Sequence, residues 1–286
     1  MLWLLLMTVY MIANVWYTLL LKVSPLPKAD KYVTYASMTT VFLLSAGILM
    51  SLGYGEITPD KQQLFYLARQ VLFYVGANMA TIIALNHTDA SIFSIINSLR
   101  IVVVTILSAM LLKDLPPMIQ LIGGALILAS IFVLKLHKDK RYLSKPIIYS
   151  IIAMFVVSFN VTAEKHMLNY VNPVTAVFWT SLFIAPVMWI VVALRKGSFK
   201  KSLPYLKHKN TGWLLIMRPL SAWSFTVALT QGSVAVTNYV SSLSVVFVVL
   251  FGIITLKEKD QTVQKIIAIA IAFIGLTLIL VSKLAN

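Results

Sequence analysis

Ten apolar runs punctuate the chain, at about 2–21, 33–53, 64–84, 90–112, 116–135, 146–167, 173–194, 211–230, 234–256 and 263–283. Each has about the twenty residues needed to cross a bilayer's hydrocarbon core. With no water there to bond the backbone, each run must satisfy its own amides and carbonyls, which predicts ten transmembrane helices. The polar intervals between them are short: Asn86–Asp89, Lys113–Leu115 and Asn169–Asn172 leave room only for antiparallel neighbours. The first run, MLWLLLMTVYMIANVWYTLLL, has no basic leading region and no small-residue cleavage site. It reads as a retained first span and not a signal peptide.

The pattern also repeats. Ala84–Asp114 returns as Ala228–Glu258, with eight of 31 positions identical, among them Ser98/Ser242, Leu99/Leu243 and Lys113/Lys257. Each copy has a short polar break, a long apolar run and a closing Lys-acid pair. A repeat of half the chain predicts two similar halves of five spans: 1–135, a basic linker 136–145, and 146–286. Five is odd, so the second half enters the membrane inverted. The expected fold class is therefore an all-α membrane protein of ten helices in two inverted five-helix repeats.

Composition sharpens this. The chain is 59% hydrophobic and 12% charged, about half the charge of a soluble domain. The net charge of +15 need not mean nucleic acid, because the basic residues sit in alternate loops. Segments 22–32, 135–145, 195–210 and 257–265 carry 3, 5, 6 and 3 Lys/Arg, whereas Lys61, Lys113 and Lys283 stand alone on the other side. The positive-inside rule places the rich side in the cytoplasm and both termini outside. There is no cysteine, and His87, His137, His166 and His208 lack metal-ligand spacing. No glycine-rich phosphate loop supports ATP-driven pumping, and no acid or histidine cluster supports an enzyme. Neither a cofactor nor a metal is expected.

Charges inside a span cost several kcal/mol and so point to function. Arg100 lies eleven residues from either end of the fourth run and is the first candidate for binding an anionic group, by the bidentate fork of its guanidinium. Structural pairing with Glu164 is the alternative. Arg218, before Pro219, is a second candidate anion contact; Arg69, near a span end, reads as a snorkelling side chain. Glu164 is the candidate proton carrier. Lys165 could contact substrate, neutralise Glu164 or mark the membrane surface. Asn97, Asn160 and Asn238, with Asn14 and Asn78, either bond neighbouring helices or line a cavity. Trp16 and Tyr239, with Tyr74, Trp179 and Trp223, either stack on a substrate ring or pack. Asp89 reads as a helix N-cap, and Gly123-Gly124 as a helix-packing face.

Two five-span halves, each with a polar break before an apolar helix ending in Lys-acid, resemble the drug/metabolite transporter superfamily. The ending Leu256-Lys257-Glu258 is similar to the EamA-type repeat. This likeness implies a ten-helix carrier with a central cavity and alternating access. In the first half, Ala84–Ser91 followed by Leu99-Arg100-Ile101 also resembles nucleotide-sugar transporters, which implies that Arg100 meets substrate phosphate. The expected function is a secondary carrier for a small polar, anionic metabolite at a midplane cavity, multi-pass in the cell membrane. Its expected partners are that substrate, H+ or a counter-substrate, and the lipid bilayer, with the chain as a monomer or homodimer. The alternatives are an exporter of amino acids or drugs, and a lipid-carrier flippase or membrane enzyme.

Overall fold

The computed structural model describes residues 2–87, 97, 99–135, 145–195, 198–256 and 262–285. The described elements are helices: α1 (Leu2–Val23), α2 (Pro25–Ala29), α3 (Lys31–Ser51), α4 (Lys61–His87), α5 (Arg100–Leu112), α6 (Met118–Lys135), α7 (Lys145–Leu168), α8 (Pro173–Leu194), α9 (Ser198–Leu206), α10 (Lys209–Gln231), α11 (Val234–Leu256) and α12 (Thr262–Ala285). Six of them, α1, α3, α4, α7, α8 and α10, are long and apolar enough to cross a membrane. Shorter apolar stretches lie in α5, α6, α11 and α12. Two helices, α2 and α9, come from intervals that the apolar pattern assigns to basic loops.

Helix ends follow local chemistry. The Asp30 side chain accepts from the amides of Tyr32 and Val33, at 2.7 and 3.1 Å, and so starts α3. Asn172 accepts from the Val174 amide at 2.8 Å, with Pro173 at the first helical position of α8. Both satisfy amides that a helix start leaves without an internal partner. Asp89, Ser98, Lys257 and Glu258 lie outside the described residues, as does most of the run before Arg100.

The helices gather into two compact units. One comprises Met1–Ile82 with Ala163–Thr230, the other Ile83–Thr162 with Gln231–Asn286. Each draws on both halves of the sequence. The most extensive pairings join helices in equivalent places of the two halves: α3 with α8 in the first unit, α6 with α12 in the second.

In the first unit a core of Leu26, Val33, Ala36, Ile82, Ile184, Met188 and Val192 fills the space around α3 and α8. Indole donors add ties to α3: Trp189 Nε1 donates to Thr40 Oγ1 at 2.8 Å and Trp223 Nε1 to Ser45 Oγ at 2.9 Å. In the second unit α6 and α12 touch backbone to backbone. A Cβ added to Gly123 would stand 2.6 Å from the Gly275 carbonyl oxygen, and one added to Gly275 2.6 Å from that of Gly123. Gly124 faces the Tyr239 ring, which a Cβ would meet at 2.7 Å. The packing face expected at Gly123-Gly124 is present.

Candidate functional site

The first unit holds a mostly apolar pocket that a few polar side chains border. It is lined by Tyr35, Met38, Thr39 and Phe42 of α3, Tyr74 and Asn78 of α4, and Arg218, Pro219 and Ala222 of α10. The spacing explains why these side chains meet. Residues 35, 39 and 42 fall on one face of α3, and 74 and 78 on one face of α4.

Arg218 is the tenth residue of the 23-residue α10. At 1.5 Å per residue it stands roughly 14 Å along the helix, far from either end. Its guanidinium is half-buried and lies over the Tyr17 ring, 5.3 Å from the centroid. It also interacts electrostatically with the phenols of Tyr74, Tyr35 and Tyr10. The Tyr17 ring face presents partial negative charge to the cation, which offsets part of the cost of withdrawing it from water. Pro219, buried next to it, leaves the carbonyl one turn earlier without its usual amide donor.

Glu164 lies within electrostatic reach of Arg218 and Tyr74. Thr226 Oγ1 donates to its Oε1 at 2.7 Å. Next to it, Lys165 Nζ donates to the Leu229 carbonyl at 2.5 Å. Of the three roles open to Lys165, this geometry shows an ammonium tied to the last turn of α10, where carbonyls need donors. Arg69 is likewise tied at a span end. Its Nη2 lies 3.0 Å from His166 Nδ1 and its guanidinium 5.1 Å from the Tyr66 ring, which stacks on Tyr170 at 4.5 Å. An arginine only donates, so His166 Nδ1 accepts and its proton sits on Nε2.

The other expected site residues separate. Trp16 is on α1 but 57% exposed and outside the pocket lining; its neighbour Tyr17 is the aromatic that meets Arg218. Consecutive helical residues point about 100° apart, so the two cannot share a direction. Arg100, Asn97, Asn160, Asn238 and Tyr239 belong to the second unit. Arg100 is half-buried at the start of α5 and Asn97 is half-buried just before it; Asn160 is buried on α7. Asn238 is fully buried, its Nδ2 donating to the Val234 carbonyl at 2.9 Å. The Tyr239 hydroxyl bonds Thr105 Oγ1 at 2.8 Å. Among the described residues no group of three metal-ligating side chains occurs.

Sequence reasoning singled out Arg218 and Glu164 but missed Tyr10, Tyr17 and Tyr35. The one available signal was their spacing: Tyr10 and Tyr17 are seven apart on α1, and Tyr35 stands four before Thr39 on α3. Asp114 has a structural role that its place in the Lys-acid pair does not reveal. Its Oδ2 accepts from the Val234 amide at 2.8 Å, so the acid of the first Lys-acid pair caps α11.

Six helices long and apolar enough to cross a membrane, with shorter apolar helices beside them, are the architecture of a multi-pass membrane protein. Residues 1–136 and 144–281 each match the EamA-like transporter family. The chain belongs to that family, whose members are membrane transporters of solutes. A solved structure titled "Crystal structure of protein" shares the fold, with a TM-score of 0.71 at 16% identity over 96% of this chain and 97% of that one. No curated protein matches the sequence.

Proposed function

We propose that this chain is a secondary carrier of the cell membrane that moves a small, polar, anionic organic metabolite by alternating access, with Arg218 as its anion-binding group. The observation that supports this is the half-buried guanidinium in the tyrosine-lined pocket, far from either end of α10. A planar fork accepts a carboxylate or phosphate through two parallel hydrogen bonds, and tyrosine rings flank an organic body. Glu164 is proposed to carry the coupling proton, since it shares the unit and the electrostatic field of Arg218. Arg100 is retained as a second anion contact, and Asn97, Asn160, Asn238, Tyr239, Lys165 and Trp16 as further candidates for substrate contact.

The same pair favours a second reading. Opposite charges in one unit suit a zwitterion, the amino-acid exporter alternative. Uptake of radiolabelled organic anions into proteoliposomes tests the first reading. Arg218→Ala is expected to abolish uptake and Arg218→Lys to reduce it about tenfold or more, since an ammonium keeps the charge but not the fork. Undiminished anion uptake by Arg218→Ala would remove the anion site. Uptake of zwitterions alone, lost in both Arg218→Ala and Glu164→Gln, would establish the second reading.

A further inference from the structure

We infer that Asn78 is a specificity-determining residue of the Arg218 pocket: its amide reads a second, uncharged acceptor on the transported carboxylate, so that oxo-substituted acids are preferred to their unsubstituted parents. The inference rests on the proposed anion site and adds to it. Asn78 borders the same pocket as Arg218, one turn along α4 from Tyr74. Its Nδ2 is buried and has no hydrogen-bond partner. Among the other polar side chains bordering the space, Thr39 is already engaged, its hydroxyl donating to the Ala36 carbonyl at 2.9 Å.

A buried donor without an acceptor costs free energy in the empty protein. A ligand oxygen that reaches it removes that cost, and a ligand lacking the oxygen does not. The asymmetry makes such a donor a strong discriminator between analogues that differ by one polar group. The guanidinium takes the charged end, and the amide then reads a carbonyl or hydroxyl elsewhere on the same molecule. A carboxamide has two donor hydrogens, so one stays available even while the other is shared.

The test uses the purified full-length protein and a panel of paired acids: pyruvate, acetoacetate and levulinate, each against the unsubstituted acid of equal length. Affinities are read from the concentration dependence of the thermal unfolding midpoint, which ligand binding raises by mass action. At least one oxo acid is expected to bind about tenfold tighter than its parent, the worth of one satisfied buried donor. Asn78→Leu is expected to bring the pair to parity while retaining binding of the parent acid. Asn78→Ala serves as a second substitution of smaller volume should the leucine misfold. Arg218→Ala is expected to lose both acids. Equal binding of every pair by the wild type, still lost in Arg218→Ala, would overturn the role of Asn78 and leave the anion site standing. A preference that survives in both Asn78 variants would overturn it equally. Absence of binding by any acid would overturn the anion site and this inference together.

Discussion

A guanidinium held away from both ends of a membrane helix is costly, and at Arg218 the offsetting groups can be named. Tyr17 supplies a ring face at 5.3 Å, and Tyr35 and Tyr74 border the same pocket. Arg218 is the proposed binding group because it borders the pocket far from either end of its helix. Glu164 is held differently, by one hydroxyl. Thr226→Val removes that donor at nearly constant volume. It is expected to lower the unfolding free energy by about 0.5–1.5 kcal/mol, the net worth of a typical intramolecular hydrogen bond. Thr226→Ser should restore most of it. Denaturation midpoints of the three proteins in one detergent check this, and equal midpoints would mean that the hydroxyl adds nothing.

Among the elements, the α6–α12 contact is where a single methyl group matters most. The atom that a new Cβ would strike at Gly123 or Gly275 is a backbone carbonyl oxygen, which cannot swing aside as a side chain can. Gly123→Ala and Gly275→Ala are each expected to destabilise by about 1–3 kcal/mol, the usual cost of overpacking. Gly212 in α10 is the contrasting case, with no heavy atom within 4 Å of an added Cβ. Gly212→Ala is expected to stabilise by about 0.5–1 kcal/mol, because glycine inside a helix loses more chain entropy on folding. Thermal unfolding of the three variants should thus give opposite signs, and a common sign would refute the close-contact account. Pro219 and Pro186 lie inside α10 and α8 and each removes one helix-bonding amide. Pro219 is the one that borders the pocket.

For the whole molecule, the distribution of basic residues predicts orientation. The 195–210 interval, with six Lys/Arg, belongs in the cytoplasm, and the interval around Lys61 outside. The absence of cysteine makes a direct measurement possible. Lys207→Cys and Lys61→Cys each introduce one thiol at an exposed position. An impermeant maleimide is expected to label Lys61→Cys in intact cells and Lys207→Cys only after lysis. The reverse pattern would invert the assigned topology.

Some of this was legible along the chain, and some could not be. Apolar runs announce helices because hydrocarbon leaves the backbone no other partner, and the charge of Arg218 or Glu164 inside such a run is conspicuous because its burial is expensive. Tyr17 and Tyr35 carried no such mark, since an aromatic in a span packs well with or without a function. Trp16 and Tyr17 are adjacent and similar in character; only the rotation of α1 about its axis decides that Tyr17 meets the arginine and Trp16 does not. Lys165 shows the same limit, because several roles suit an ammonium at a span end and only the fold places the Leu229 carbonyl beside it.

Read alone, then, the sequence determined the class: a helical, two-repeat membrane transport protein with its basic residues concentrated in alternate loops. Tertiary structure decided that α3 pairs with α8 and α6 with α12, and which polar side chains share a pocket. Periodicity and hydropathy are properties of one segment against its solvent, whereas a pairing or a pocket depends on which faces of distant segments meet.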